Sequence, residues 1–105
     1  MLGELEQIVL LAILRVGDDA YGVSITSEIT TQTGRELTLA TIYKTLARLE
    51  EKRLVVTRAG EPTPLRGGRR KRYYSVTASG RASLRHSLSI LGRMTRGLRV
   101  GWDPS

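Results

Sequence analysis

The stretch Leu54–Val76, LVVTRAGEPTPLRGGRRKRYYSV, decides how the rest of the chain is read. Its two ends, Leu54-Val55-Val56-Thr57 and Arg70 to Val76, are rich in β-branched and aromatic residues. Short runs of that kind, bounded by turn residues, read as strands. Between them Glu61-Pro62-Thr63-Pro64-Leu65-Arg66-Gly67-Gly68 is a loop by its proline and glycine content. Two strands around one loop make a hairpin. Alternation along the second strand sends one of Tyr73 and Tyr74 into a core and the other outward. Arg66, Arg69, Arg70, Lys71 and Arg72 fall within seven residues with no acid among them. Like charges packed so closely repel unless something screens them. A phosphate backbone would do so and release counterions. Gly67 and Gly68 would let the tip approach a groove closely. A disordered basic loop or a localisation-like run would carry the same composition.

Upstream of the hairpin three helices are expected. Glu4 to Val16 is apolar around almost its whole circumference, with Leu5, Ile8, Val9, Leu10, Leu11, Ile13, Leu14 and Val16, and with Ala12 as a point of close approach. An all-round apolar helix must be covered on every side. One small domain covers one side, so a second subunit is expected on the other. Gly17-Asp18-Asp19 ends this helix. The second helix runs from Tyr21 or Gly22 to about Thr33, with Val23, Ile25 and Ile29 inward, and stops at Gly34. The third starts at an N-cap, Thr38, and ends around Glu51 to Arg53. Leu39, Ile42, Leu46 and Leu49 make its apolar stripe, and Thr41, Lys44, Thr45 and Arg48 are placed on the opposite side. Downstream, Thr77 caps a last helix over Ala78 to Leu98. Leu84, Leu88, Leu91, Met94 and Leu98 form a coiled-coil-like seam along it. It carries Arg81, Arg85, Arg93 and Arg96 and no acid.

Three helices and then a hairpin is the winged-helix arrangement, an α+β fold that is mainly helical. The second and third helices form the helix-turn-helix pair, with the turn at Gly34 to Leu37. A C-terminal dimerisation helix follows. In that geometry the third helix enters the major groove of DNA, its N-terminal half toward the base edges. The expected DNA contacts are Thr38, Thr41, Tyr43, Lys44, Thr45 and Arg48 from this helix, and Arg66, Arg69, Arg70, Lys71 and Arg72 from the wing. On the third helix alone a solvated polar face fits equally well. Tyr43 either reaches a phosphate with its hydroxyl or packs at the edge of the core. The expected dimer surface is Leu5, Ile8, Val9 and Ala12 with Leu84, Leu88, Leu91, Met94 and Leu98. The expected division is a DNA-binding domain over 1–77, a dimerisation helix over 78–100 and a tail over 101–105.

The charge agrees with a polyanion partner. Residues 1–53 hold 6 Lys and Arg against 8 Asp and Glu, a net −2. Residues 54–105 hold 11 against 2, a net +9, and the two make the overall +7 of this 105-residue chain. There is no cysteine, hence no disulfide and no thiolate metal site. No apolar run is long enough to span a bilayer, and the N-terminus lacks the marks of a secretory signal. A cytoplasmic protein is expected. His86 is the only histidine and makes no zinc site alone. No metal or cofactor is expected. The acids are scattered, and no phosphate-binding Gly-rich loop with a Lys-Ser/Thr ending occurs, which speaks against an enzyme. Two other classes remain as rivals: a winged-helix protein-interaction module, and a membrane-surface role through the arginines of the last helix.

Several of these stretches together resemble the PadR family of transcriptional regulators. They are Leu2-Gly3-Glu4-Leu5-Glu6-Gln7, Asp19-Ala20-Tyr21-Gly22, the third helix from Leu39 to Lys52, Gly67-Gly68-Arg69-Arg70-Lys71-Arg72-Tyr73-Tyr74, and Thr77-Ala78-Ser79-Gly80. The likeness covers residues 2 to about 85. The wing running into two tyrosines before a Thr-x-x-Gly turn is its most specific part. The resemblance implies a homodimeric repressor relieved by a small aromatic or drug-like ligand, and the two-fold symmetry of a dimer predicts a pseudo-palindromic operator. It also implies an interface between the last helix and the partner's first. It places Tyr43, Lys44 and Arg48 on the recognition helix and Arg69 to Arg72 on the wing. Where the family often has proline after the third-helix tyrosine, this chain has Lys44. Trp102, the only tryptophan, is either a ligand platform in the dimer interface or a tail residue packed on the partner.

Overall fold

The computed structural model describes residues 2–62 and 70–98. The order is α1 (Glu4–Val16), a single 3₁₀ turn (Gly17–Asp19), α2 (Gly22–Thr33), α3 (Leu39–Glu51), β1 (Val55–Pro62), β2 (Arg70–Val76) and α4 (Ala78–Thr95). It is the expected winged helix-turn-helix: three helices, an antiparallel two-stranded wing and a further helix.

Local chemistry sets the helix ends. The Glu6 carboxylate accepts from the Gly3 N–H at 2.9 Å and opens α1. Ser24 Oγ accepts from the Tyr21 N–H at 2.9 Å, in front of α2. Gly34 stops α2 in the left-handed region at φ 73°, where a side chain would be strained. Thr38 Oγ1 accepts from the Thr41 N–H at 3.1 Å, the expected N-cap of α3. At the other end of α3, Leu54 N–H donates to Leu49 O and Arg53 N–H to Glu50 O, both at 2.9 Å. That pair of bonds is a Schellman closure, with Arg53 at φ 60° in the position glycine usually takes.

The core lies between α1, α2, α3 and the inner face of the wing. Val9, Leu10, Ile13, Ile25, Ile29, Ile42, Leu46, Leu49, Val55 and Tyr74 are buried in it. Within the wing Val55 pairs with Val76, Thr57 with Tyr74 and Arg58 with Tyr73, and the register slips between Ala59 and Pro62. Tyr74 is the inward tyrosine and Tyr73 stays half-exposed. β1 is longer than expected. Glu61 and Pro62, read above as loop, belong to the strand; a bulge is one of the few places where a strand tolerates proline.

Three inward assignments change. Val23 is 52% exposed because it lies two residues from Ile25, about 200° around the helix. Leu39 is 42% exposed because the core ends one turn beyond it. Leu11 is exposed on the side of α1 away from the core, so α1 is covered on most sides but not all.

A buried carboxylate ties α1 to α3. Glu6 receives the Lys52 ammonium at 2.8 Å. Burial alone would raise its pKa. The hydrogen bonds from Lys52 and Gly3 and the charges of Lys52 and Arg48 outweigh that, so the carboxyl titrates below its ordinary value. α4 is anchored only at its base. Gly80, Leu84 and Ser87 are buried, and every described residue from Leu91 to Leu98 is exposed. The radius of gyration, 15.8 Å, exceeds the roughly 13 Å of a compact domain of this length.

Candidate nucleic-acid interface

On α3 the stripe Ile42, Leu46 and Leu49 faces the core. Residues one half-turn away therefore face solvent. These are Ala40, Lys44, Ala47 and Glu51, with Tyr43 and Arg48 flanking them, all exposed. Thr38 is exposed beside them, its hydroxyl donating to Thr41 Oγ1 at 3.0 Å. Thr41 is half-buried.

Thr45 corrects the sequence reading. It was placed on the outward face, yet it is 1% exposed. It follows Ile42 by three residues and precedes Leu49 by four, so it shares their side of the helix. Its hydroxyl is satisfied by donating to the Thr41 carbonyl at 3.0 Å, which makes burial cheap. Ala40 and Ala47 were missed because alanine carries no polar signal. The spacing Ala40, Lys44, Ala47, Glu51, opposite the apolar stripe, would have found them. Small residues there let a surface approach the helix backbone.

The wing root sits next to this face. Tyr43 lies against Gly22, so closely that a methyl group there would come within 2.5 Å of Cζ. Tyr21, one residue earlier, carries the Lys71 ammonium 4.3 Å from its ring centroid. On the other face of β2, the Tyr74 hydroxyl is raised in pKa chiefly by burial. Arg72 beside it opposes the shift, and Tyr43 and Glu50 of α3 add to it. One face of β2 thus rests on Tyr21 at the entry to α2, while Tyr74 on the other is buried within the range of the Tyr43 and Glu50 charges. Lys71 and Arg72 are both exposed. Alternation divides them, Arg72 onto the face of Tyr74 and Lys71 onto Tyr21. Arg70 opens β2, its side chain outside the described part, and Arg66, Arg69 and Trp102 lie outside the described residues altogether.

The expected dimer surface divides in two. Val9, Ala12 and Leu84 are enclosed in the protomer's own core, at 0%, 3% and 4% exposure, and so present no surface to a partner. On α1 the periodicity that suggested all-round burial places Val9 and Ala12 on the inner half. Leu5 and Ile8 are half-buried. Leu88, Leu91, Met94 and Leu98 are exposed at 41%, 52%, 72% and 53%. A groove of about 160 Å³ between α1 and α2 is lined by Ile8, Leu11, Ala12 and Ile29, with Leu11 its exposed member, and by the Arg15–Glu28 ion pair, 2.8 Å. His86 is exposed on α4. Among the described residues no cluster suits a metal ion, and no helix is long and apolar enough to cross a membrane.

Comparison with known proteins agrees with this architecture. An uncharacterized protein of Lysinibacillus sphaericus is 37% identical over 84 residues, covering 78% of this chain and 72% of its own length. A transcriptional regulator from Clostridium thermocellum superposes with a TM-score of 0.72 at 22% identity, over 88% of this chain and 86% of its own. BpsR of Bordetella bronchiseptica, whose DNA binding is regulated by 6-hydroxynicotinic acid, superposes with a TM-score of 0.68 at 19% identity, over 98% and 69%. The model of the transcriptional regulator PadR-like family matches residues 10–86. This chain therefore belongs to the PadR-like family and is a transcriptional regulator rather than an enzyme.

Proposed function

We propose that the chain is a homodimeric, sequence-specific repressor of the cytoplasm that grips double-stranded DNA with α3 and the wing. The observation that carries this is the junction at Tyr21-Gly22, which brings Lys71 of the wing and Tyr43 of α3 against adjacent residues. A helix and a basic hairpin referenced to one point can engage one duplex. Thr38, Thr41, Lys44 and Arg48 face the bases and nearby phosphates, with Ala40 and Ala47 allowing close approach. Tyr43, Lys71 and Arg72, with Arg66, Arg69 and Arg70, neutralise backbone phosphates. Thr45 takes no part.

Dimerisation uses the exposed seam Leu88, Leu91, Met94 and Leu98 of one protomer, with Leu5, Ile8 and Leu11 of α1 offered by the other. Three large exposed apolar side chains in a row on an otherwise arginine-rich helix, with exposed Leu98 just past its end at Thr95 where the sequence had placed it in the helix, call for a cover. Two-fold symmetry then requires a pseudo-palindromic operator. Release by a small aromatic or drug-like ligand is supported by the ligand-regulated Bordetella neighbour, and Trp102 is the candidate platform for it.

Selection of bound duplexes from a random pool, followed by titration against salt, tests the proposal. The expected result is a symmetric site and a steep fall of log affinity with log salt. A flat salt response, or an asymmetric single site, refutes it.

A further inference from the structure

Four side chains between the wing and the turn that joins α1 to α2 stack in the order cation, ring, ring, cation. The Arg58 guanidinium lies 4.6 Å from the Tyr73 ring centroid. The Tyr73 and Tyr21 rings meet edge to face, 5.8 Å apart and inclined at 75°. The Lys71 ammonium lies 4.3 Å from the centre of the Tyr21 ring. Arg58 is directly opposite Tyr73 in the register, and Lys71 is two residues along the same strand, so the three share the wing face turned away from the core. Gly60 completes this face, since a methyl there would overlap the Tyr73 ring.

The row is fastened to the turn between α1 and α2. Arg58 donates to the Asp18 carbonyl and Tyr74 N–H to the Ala20 carbonyl, both at 2.8 Å. A two-stranded hairpin has little stability by itself, so its angle to the helices is set by such fastenings. Neither Tyr21 nor Tyr73 belongs to the buried core. The Tyr21 ring contacts the wing, while the next residue, Gly22, is the seat of Tyr43.

We propose that Tyr21 is a positioning residue for DNA binding: its ring holds the wing at a fixed angle to α3 and seats Lys71 where a phosphate passes. Tyr21 acts through Lys71 and Tyr73 and need not touch DNA. The proposal rests on the DNA-binding reading above.

The test compares the wild-type chain with Tyr21→Ala, Tyr21→Leu, Tyr21→Phe, Lys71→Ala and the Tyr21→Ala/Lys71→Ala pair. Each is titrated with the selected operator duplex over a range of salt, and its thermal unfolding is recorded. Tyr21→Phe should bind within about twofold of wild type, since edge-to-face and cation–ring contacts need no hydroxyl. Tyr21→Ala should weaken binding about tenfold and lower the log–log salt slope by about one, as Lys71→Ala does. The pair should be no more than about twofold weaker than Tyr21→Ala alone, because one contact is lost once. Tyr21→Leu keeps apolar bulk without a ring and should behave like Tyr21→Ala, which covers the case in which the alanine variant melts too low to assay. An unchanged slope, multiplicative effects in the pair, no rescue by phenylalanine, or full binding by Tyr21→Leu each overturns the inference while leaving DNA binding intact. A flat salt response of the wild type overturns the DNA-binding reading, and this inference with it.

Discussion

Gly22→Ala is the sharpest test of how α2 and α3 are held together. The substitution meets no backbone objection, since Gly22 does not occupy the left-handed region. The obstacle is the Tyr43 ring: a methyl at position 22 would lie 2.5 Å from Cζ and 3.0 Å from Cε1, where ordinary contact begins at 3.4 Å. The ring must therefore retreat by about 1 Å, and only toward solvent, to which Tyr43 is already 46% exposed. Losing roughly 50 Å² of burial costs about 1.3 kcal/mol at 25 cal/mol per Å². The gain in helix propensity at this first helical position offsets a few tenths of a kcal/mol. The net cost is about 1 kcal/mol, a fall of about 4–8 °C in melting temperature for a domain of this size. Urea denaturation of the four members of a Gly22→Ala, Tyr43→Ala cycle measures it. With the ring gone, Gly22→Ala should cost nothing or stabilise slightly. If it costs the same with and without Tyr43, the ring is not the obstacle and the geometry assigned to this junction is wrong. In binding assays Gly22→Ala should also weaken operator affinity, because Tyr43 leaves its seat.

Other consequences are as concrete. Gly80→Ala would drive a methyl into the Leu54 carbonyl and to 2.7 Å from Val76 Cγ1; backbone cannot swing aside as a ring can, so a loss of about 2–3 kcal/mol is expected, and a melting temperature within 3 °C of wild type would contradict it. Glu6→Gln should cost about 1 kcal/mol at pH 7, a figure kept well below that of a fully buried pair because Lys52 is half-exposed. The Glu6 carboxyl is depressed in the fold, so its contribution is fully present above about pH 4.3 and lost as pH falls through the lower folded value. Stability curves of wild type and variant that fail to converge on acidification would show that the pair is not the source. Leu91→Lys with Met94→Lys should yield a folded monomer by light scattering with reduced operator affinity, whereas a dimer of unchanged strength would remove α4 from the interface.

The amino-acid sequence by itself determined the element order, the two threonine caps, the stop at Gly34 and the full extent of β2. These depend on short-range chemistry: a hydroxyl three residues before an N–H, a glycine where the backbone turns left-handed, a β-branched run bounded by turns. It also marked the wing as basic and the Tyr73-Tyr74 step as a core boundary. It misplaced Thr45, Val9, Ala12 and Leu84 because residue type and period cannot tell which half of an apolar helix the protomer itself covers. Burial of Thr45 needed only one local hydroxyl-to-carbonyl bond, which no hydropathy pattern records. Only the tertiary structure brought Lys71, Tyr21, Gly22 and Tyr43 together, from a strand, a turn and two helices. Contacts between elements distant in sequence are fixed by packing of the whole core, and it is there that the proposed grip on DNA is assembled.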